Sequence, residues 1–228
     1  MDQAKSMQAK KSQFARKALC SVAVAVAVLC AGVAPGWHAT AWAGEPIVST
    51  EQGASVQGQL ASAAKEMIEL SEKDPELQKG DLTKARKVVE KHVLPLLDKE
   101  ELAKRAVGKF WREATAEQRA KLTTLVPRLL GKTYARALID LKGAKVEFTP
   151  ARVSDGVARI GAKITPLGGQ PIQLGFAASI GKDGQAQVQD IIIEGVSLMG
   201  AFASNFASVI AKKGLDGLLV DLEAKVGY

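Results

Sequence analysis

Gly143 separates two rhythms in this chain, and that switch limits its fold more than any other feature. Before it, apolar residues return every three or four positions, the period of an amphipathic helix. After it, for about forty residues, they return every second position, the period of a strand with one buried face. Further on, the helical period resumes. Helices, then consecutive strands, then helices again describe an α+β domain, with helices segregated to one face of an antiparallel sheet.

The helical part carries its own start and stop signals. Gln59 to Lys73 places Leu60, Ala64, Met67 and Ser71 along one side and stops at Asp74-Pro75. Asp81 is placed to cap a second helix, with Ala85, Val88, Val89 and His92 facing inward and Pro95 ending it. Asp98, with Glu101 three residues on, reads as a capping box. Thr115 with Gln118 is another, and opens a long helix carrying Leu122, Leu125, Leu129, Leu130, Tyr134, Leu138 and Leu141. Pro127 lies inside that pattern, where one helix with a kink is expected rather than two helices.

Beyond Gly143 the alternating segments are Lys145–Pro150, Val157–Thr165 and Pro171–Ile180, followed by Gln185–Glu194. Ser154-Asp155-Gly156, Leu167-Gly168-Gly169 and Gly181-Lys182-Asp183-Gly184 separate them at hairpin spacing. A four-stranded antiparallel meander follows. In its third strand Ile172, Leu174, Phe176, Ala178 and Ile180 share a face. Ser197 is placed to cap the next helix, in which Leu198, Phe202, Phe206 and Val209 line up. Gly214 is placed to stop it, and Leu215 to Val226 form a last amphipathic helix.

The first 43 residues read as an address rather than structure. A basic stretch is followed by the uncharged apolar run Ala18–Val33, then by Pro35-Gly36 and Ala41-Trp42-Ala43. That order is a secretory signal peptide with cleavage expected after Ala43, and Ala18–Val33 is short for a membrane span. Both cysteines, Cys20 and Cys30, lie within it, each preceded by Leu, so no lipid-attachment site is expected. Residues 44–58 lack a period and read as a disordered lead-in, leaving 59–228 as a single domain. The leader holds a balance of +4 out of the total +7, leaving +3 for residues 44–228. So mild a charge, with aromatics that do not alternate with the cations, gives no nucleic-acid surface.

Chemistry-bearing groups are few. His92 is the one histidine after the leader, and with no cysteine beside it a metal centre of the usual nitrogen and sulfur ligands is excluded by count. Gly131-Lys132-Thr133 imitates the end of a phosphate-binding loop, but Val126 stands where the first glycine belongs and the triplet falls inside a helix. Asp190 and Glu194 fall on one face of a strand. They read as caps of a sheet end, with a hydrolase or isomerase acid pair as the alternative.

Two stretches carry a family pattern. The first runs from Leu97-Asp98 through Arg105-Ala106-Val107-Gly108-Lys109-Phe110-Trp111-Arg112 to Thr115 and Gln118-Arg119, then Leu129-Leu130 and Thr133-Tyr134. The second is Asp190-Ile191, Glu194-Gly195-Val196-Ser197-Leu198, Phe206 and Gly214-Leu215-Asp216-Gly217-Leu218. In this order the sequence resembles the MlaC family of periplasmic phospholipid-binding proteins, also called toluene-tolerance auxiliary proteins, over about residues 59–225. Phe202-Ala203 stands where the family often has Tyr-Arg, and Gln187-Val188 replaces aromatics before Asp190.

The resemblance implies a twisted sheet under helices, an apolar pocket between them, a glycerophospholipid ligand and no catalysed reaction, cofactor or metal. It implies a monomer that exchanges lipid with an inner-membrane ABC complex carrying an MCE-domain subunit and with an outer-membrane lipoprotein; a hopanoid-type lipid is the alternative cargo. The expected pocket residues are Phe110, Leu125, Leu129, Tyr134, Leu138, Phe148, Ile160, Ile164, Ile172, Leu174, Phe176, Ile191, Ile193, Val196, Leu198, Phe202 and Phe206. Periodicity alone leaves open whether these line a pocket or fill a solid core. An adaptor that docks partners through its C-terminal helices is a further alternative.

Overall fold

The computed structural model describes residues 51–181 and 184–227, all within one compact unit, Pro46–Tyr228. The expected signal peptide, its cleavage point and residues 44–50 lie outside the described residues. The order of elements is α1 (Glu51–Lys73), α2 (Pro75–Gln78), α3 (Leu82–His92), a 3₁₀ turn (Leu94–Leu96), α4 (Lys99–Val107), a second 3₁₀ turn (Gly108–Trp111) and α5 (Ala116–Ile139). Then come β1 (Lys145–Phe148), β2 (Arg152–Ser154), β3 (Val157–Thr165), β4 (Ile172–Ile180), β5 (Ala186–Ile193), β6 (Val196–Ser197) and α6 (Leu198–Val226). The α+β order expected from the two rhythms is the order found.

Local chemistry sets the helix ends. The Asp74 carboxylate accepts from the N–H groups of Glu76 and Leu77, and Asp81 from those of Thr83 and Lys84. Thr115 and Gln118 form the reciprocal capping box in full. Asp98 does not: its carboxylate caps Glu101 N–H, but the Glu101 carboxylate turns to Lys104 and Arg105. The reason is that Asp98 N–H already donates to Val188 O at 2.9 Å, which ties the start of α4 to the edge of β5. The long helix α5 continues through Pro127. Gly214, at φ 71° and ψ 179°, interrupts α6 where a stop was expected.

Two expectations are corrected. Residues 51–58 are helical, not a disordered lead-in: α1 is already formed at Glu51, and Val56 is fully buried. Two glycines and few apolar residues hide this helix from any periodicity, and burial against the sheet supplies what propensity lacks. The meander is also more divided than four strands. β1 and β2 both pair with β3, separated by Thr149–Ala151, and β6 adds a short strand beyond β5. At the division Thr149 Oγ1 accepts from Gly161 N–H at 3.0 Å, while Thr149 N–H donates to Gly161 O. A Cβ on residue 161 would meet that hydroxyl at 2.8 Å, so glycine is required there.

The apolar face of the sheet and the helices share one core, in which α1 touches β1 to β5 and α4 and α6 pack on β5. Gln59 of α1 fixes this crossing, donating to Gly184 O and accepting from Ala186 N–H at 2.7 Å. A second, separate cluster of Met67, Leu77, Ala85, Val88, Val89, Ala135 and Leu138 joins α1, α2, α3 and α5 to one another.

Candidate functional site

Register converts the strand sequences into cross-strand rows on the apolar face. The outermost row is Val146–Ile164–Ile172, and the next is Phe148–Ala162–Leu174–Ile193. Then come Ile160–Phe176–Ile191 and Val153–Ala158–Ala178–Val188. A bulge in β5 leaves Gln189 as the extra residue between Val188 and Asp190 without breaking this alternation.

Burial changes along the rows. Every member of the outermost row is only half-buried, as are Phe148, Leu174, Ile193, Phe176 and Ile191. The innermost row is closed, with Ala158, Ala178 and Val188 buried. Alanines at 158, 162 and 178 keep the floor of the face low, so the large side chains around them stand above it. From the helices, Phe202 of α6 and Tyr134 of α5 also remain half-buried against the core. The Phe202 ring lies 5.4 Å from that of the buried Phe206. A helix-and-sheet domain that closed fully would bury such residues. Here a ladder of branched and aromatic side chains keeps part of its apolar surface open.

Of the expected pocket residues, Phe110, Leu125, Leu129, Tyr134, Phe148, Ile160, Phe176, Ile191, Ile193, Leu198, Phe202 and Phe206 meet in or against the main core. Ile164, Ile172 and Leu174 share the sheet face at its open end. Two lie apart from these. Leu138 belongs to the second cluster, where with Ala135 it packs among the buried residues of α1, α2 and α3. Val196 pairs with Ile193 but is 43% exposed at the rim, just past the β5–β6 turn. Trp111, Val153, Ile180, Val209, Leu215 and Val226 also pack half-buried on the core and were not foreseen as site residues. The helical spacing of Val209 after Phe206, and the strand alternation that ends in Ile180, are the signals that could have found two of them.

Tyr134 is the one ionisable side chain with a resolved shift on this surface, and burial pushes its phenol above the usual tyrosine range. The carboxylates that the sequence groups as a pair are engaged separately. Asp190 accepts from Ser197 Oγ at 2.6 Å, Ile191 N–H at 2.8 Å and Met199 N–H at 3.2 Å, fastening β5 to the start of α6. Glu194 lies beyond the strand, in the two-residue turn Glu194-Gly195, where both residues have positive φ as a type I′ turn requires. Its carboxylate accepts from Gln173 N–H. His92 Nδ1 lies 2.8 Å from Glu66 Oε1 on α1. Among the described residues no group of three or more His, Cys, Asp or Glu could hold a metal ion, and no helix is long and apolar enough to cross a membrane.

An α+β fold with half-open apolar rows between its sheet and helices defines a binding protein for an apolar ligand. The chain belongs to the MlaC family, whose model, described as MlaC protein, matches residues 61–224. It is similar to the intermembrane phospholipid transport system binding protein MlaC of Haemophilus influenzae, 26% identical over 149 residues that cover 64% of this chain and 70% of that one. It is similar also to the toluene tolerance protein ttg2D of Pseudomonas putida, 29% identical over 126 residues, 54% of this chain and 57% of that one. A solved structure of the phospholipid-binding protein from Ralstonia solanacearum in complex with a phospholipid superposes with a TM-score of 0.66. It is 27% identical and covers 78% of this chain and 97% of that one.

Proposed function

We propose that this protein is a periplasmic carrier of glycerophospholipid that holds acyl chains against the half-buried rows of β3, β4 and β5 and catalyses no reaction. The observation that carries the reading is those open apolar rows, in a fold shared with a protein solved with phospholipid bound. A methylene removed from water is worth about 0.8 kcal/mol. A two-tailed lipid of roughly 30 methylenes therefore needs on the order of 20 kcal/mol of shielding to cross an aqueous space. Aliphatic and aromatic walls give that shielding without demanding one tail length.

The absence of catalysis is supported by what the carboxylates do: Asp190 and Glu194 are spent on backbone groups of different elements. The leader pattern in residues 1–43 supports export, and the name of the Haemophilus influenzae relative, an intermembrane phospholipid transport system binding protein, supports transport between membranes; the exchange partners proposed from the family resemblance are an inner-membrane ABC complex with an MCE-domain subunit and an outer-membrane lipoprotein. The test is native mass spectrometry of protein gently prepared from the periplasm. Phospholipid bound at close to one molecule per chain is expected, and the mass of the ligand separates a phospholipid from a hopanoid. Protein that is lipid-free and takes up none from vesicles would overturn the reading.

A further inference from the structure

Helix α1 crosses the sheet from its closed end to its open one, and two hydrogen-bonded side chains mark the path. At the closed end Gln59 donates to Gly184 O and accepts from Ala186 N–H, both beside the β4–β5 turn. At the open end the Glu72 carboxylate accepts from Gly143 N–H, two residues before the strand that pairs Val146 with Ile164. Residues 56, 60 and 64 lie four apart and so share one face of this helix. Burial falls along that face. Val56 is fully buried and Leu60 is 6% exposed, whereas Ala64 is half-buried. No residue between Leu60 and Met67 is buried, and Met67 already belongs to the second cluster.

The sheet has its boundary at the same place. Val56 and Leu60 share the main core with Ala158, Ala178 and Ala186, three alanines with no exposed surface. Side chains that small let α1 sit close, so the branched side chains of Val56 and Leu60 close this end at the density of a protein interior. Toward the open end β4 carries Phe176, Leu174 and Ile172, all half-buried. There α1 offers only the methyl group of Ala64 before its next large side chain turns to the other helices. The helix seats on the sheet as far as Leu60 and then leaves it.

We infer that Leu60 is the end wall of the acyl-chain pocket and that α1 selects tails by length. Tails enter from the Ile164–Ile172 end, run beneath Ala64 and stop at Leu60. The inference rests on the carrier reading and adds the residue that discriminates among its cargoes.

The test offers delipidated protein vesicles containing equal amounts of dimyristoyl- and distearoyl-phosphatidylglycerol, and native mass spectrometry reads the ratio of the two lipids bound. Ala64→Leu builds a wall one helical turn nearer the entrance. It should move the ratio toward the dimyristoyl lipid, by about fourfold for each methylene kept out of the pocket. Leu60→Ala removes the wall and should move the ratio toward the distearoyl lipid. Ser62→Leu, at an exposed position of the same helix, should keep the wild-type ratio. Because Ala64→Leu leaves no cavity, it decides the matter even if Leu60→Ala is too unstable to measure. A wild-type ratio in A64L would overturn the inference and leave the carrier reading standing. An equal loss of both lipids in A64L would also overturn it, since residue 64 would then lie across the entrance and not along the tails. Wild-type protein that binds neither lipid would remove the carrier reading itself.

Discussion

Replacing Asp190 should damage this fold more than its position near the end of a sheet suggests. The residue is 8% exposed and accepts three hydrogen bonds, of which those from Ser197 and Met199 bind β5 to β6 and to the first turn of α6. A hydrogen bond to a charged group contributes about 1.5–3 kcal/mol net. Truncation also leaves the Met199 N–H, on a residue only 2% exposed, without its acceptor. Two inter-element bonds lost therefore put Asp190→Ala at about 3–5 kcal/mol, against a total stability of roughly 5–15 kcal/mol for a domain. Asp190→Asn keeps an acceptor for the two N–H groups and loses mainly charge, so it should cost about 1–2 kcal/mol. Urea denaturation followed by circular dichroism measures both, and the m-value should not change. If Asp190→Ala falls within about 0.5 kcal/mol of the wild type, as surface substitutions do, Asp190 does not fasten these elements.

Phe206→Ala should lose about 3–5 kcal/mol, as a buried aromatic does, while Phe202→Ala should lose less stability and more bound lipid; thermal unfolding and lipid mass spectrometry would show a reversed order if Phe202 were simply core. Gly214→Ala should cost about 1–3 kcal/mol by backbone strain alone, since an added Cβ there meets open space; a neutral variant in the same unfolding assay would mean that the break in α6 does not need positive φ. In a Tyr228→Phe background the phenolate absorbance should report a Tyr134 midpoint above that of free tyrosine, because burial raises it. The folded state then holds the phenolic proton more tightly than the unfolded chain. The stability this contributes is complete below the unfolded pKa of about 10 and is lost as pH rises through the folded value, so stability that does not fall over that range would contradict the burial of Tyr134.

What the sequence disclosed, and what it hid, follows from how local each determinant is. The Thr115–Gln118 box, the Gly214 break and the Asp155-Gly156 turn depend on a few consecutive residues, and all three stand as read. The strand alternation also fixed which side chains share the apolar face. Other features depend on a partner far along the chain. Val56 makes residues 51–58 helical only because the sheet lies beneath it. Asp98 loses half of its capping box to Val188, and Thr149 splits a strand through Gly161. Asp190 and Glu194 sit four apart and look like a pair, yet a turn at positive φ sends Glu194 to Gln173 and an α6 N-terminus claims Asp190. Leu138 fits the helical period of its neighbours, but period cannot say which of two cores a turn of helix will join.

The two separate cores explain how apolar rows can stay half-covered. Helices whose only apolar partner was the sheet would settle on it until Ile172, Leu174 and Ile193 were buried, since each such side chain gains about 1.5–3 kcal/mol from leaving water. Here α1, α3 and α5 satisfy one another through Met67, Val88, Val89, Ala135 and Leu138, away from the sheet. The sheet is joined to the helix layer at defined points instead: Gln59 at the β4–β5 turn, Asp98 at Val188, and Asp190 at the start of α6. Lys132 of α5 holds the far end of α6 by donating to the carbonyls of Lys225 and Val226. All three sheet attachments lie on β5 or its preceding turn, and none reaches the Ile164–Ile172 end of β3 and β4. At that end a single tie runs from Glu72 of α1 to Gly143 N–H just before β1, and on the carrier reading an acyl chain lying there would complete a core whose Ile164, Ile172 and Leu174 the polypeptide leaves half-buried.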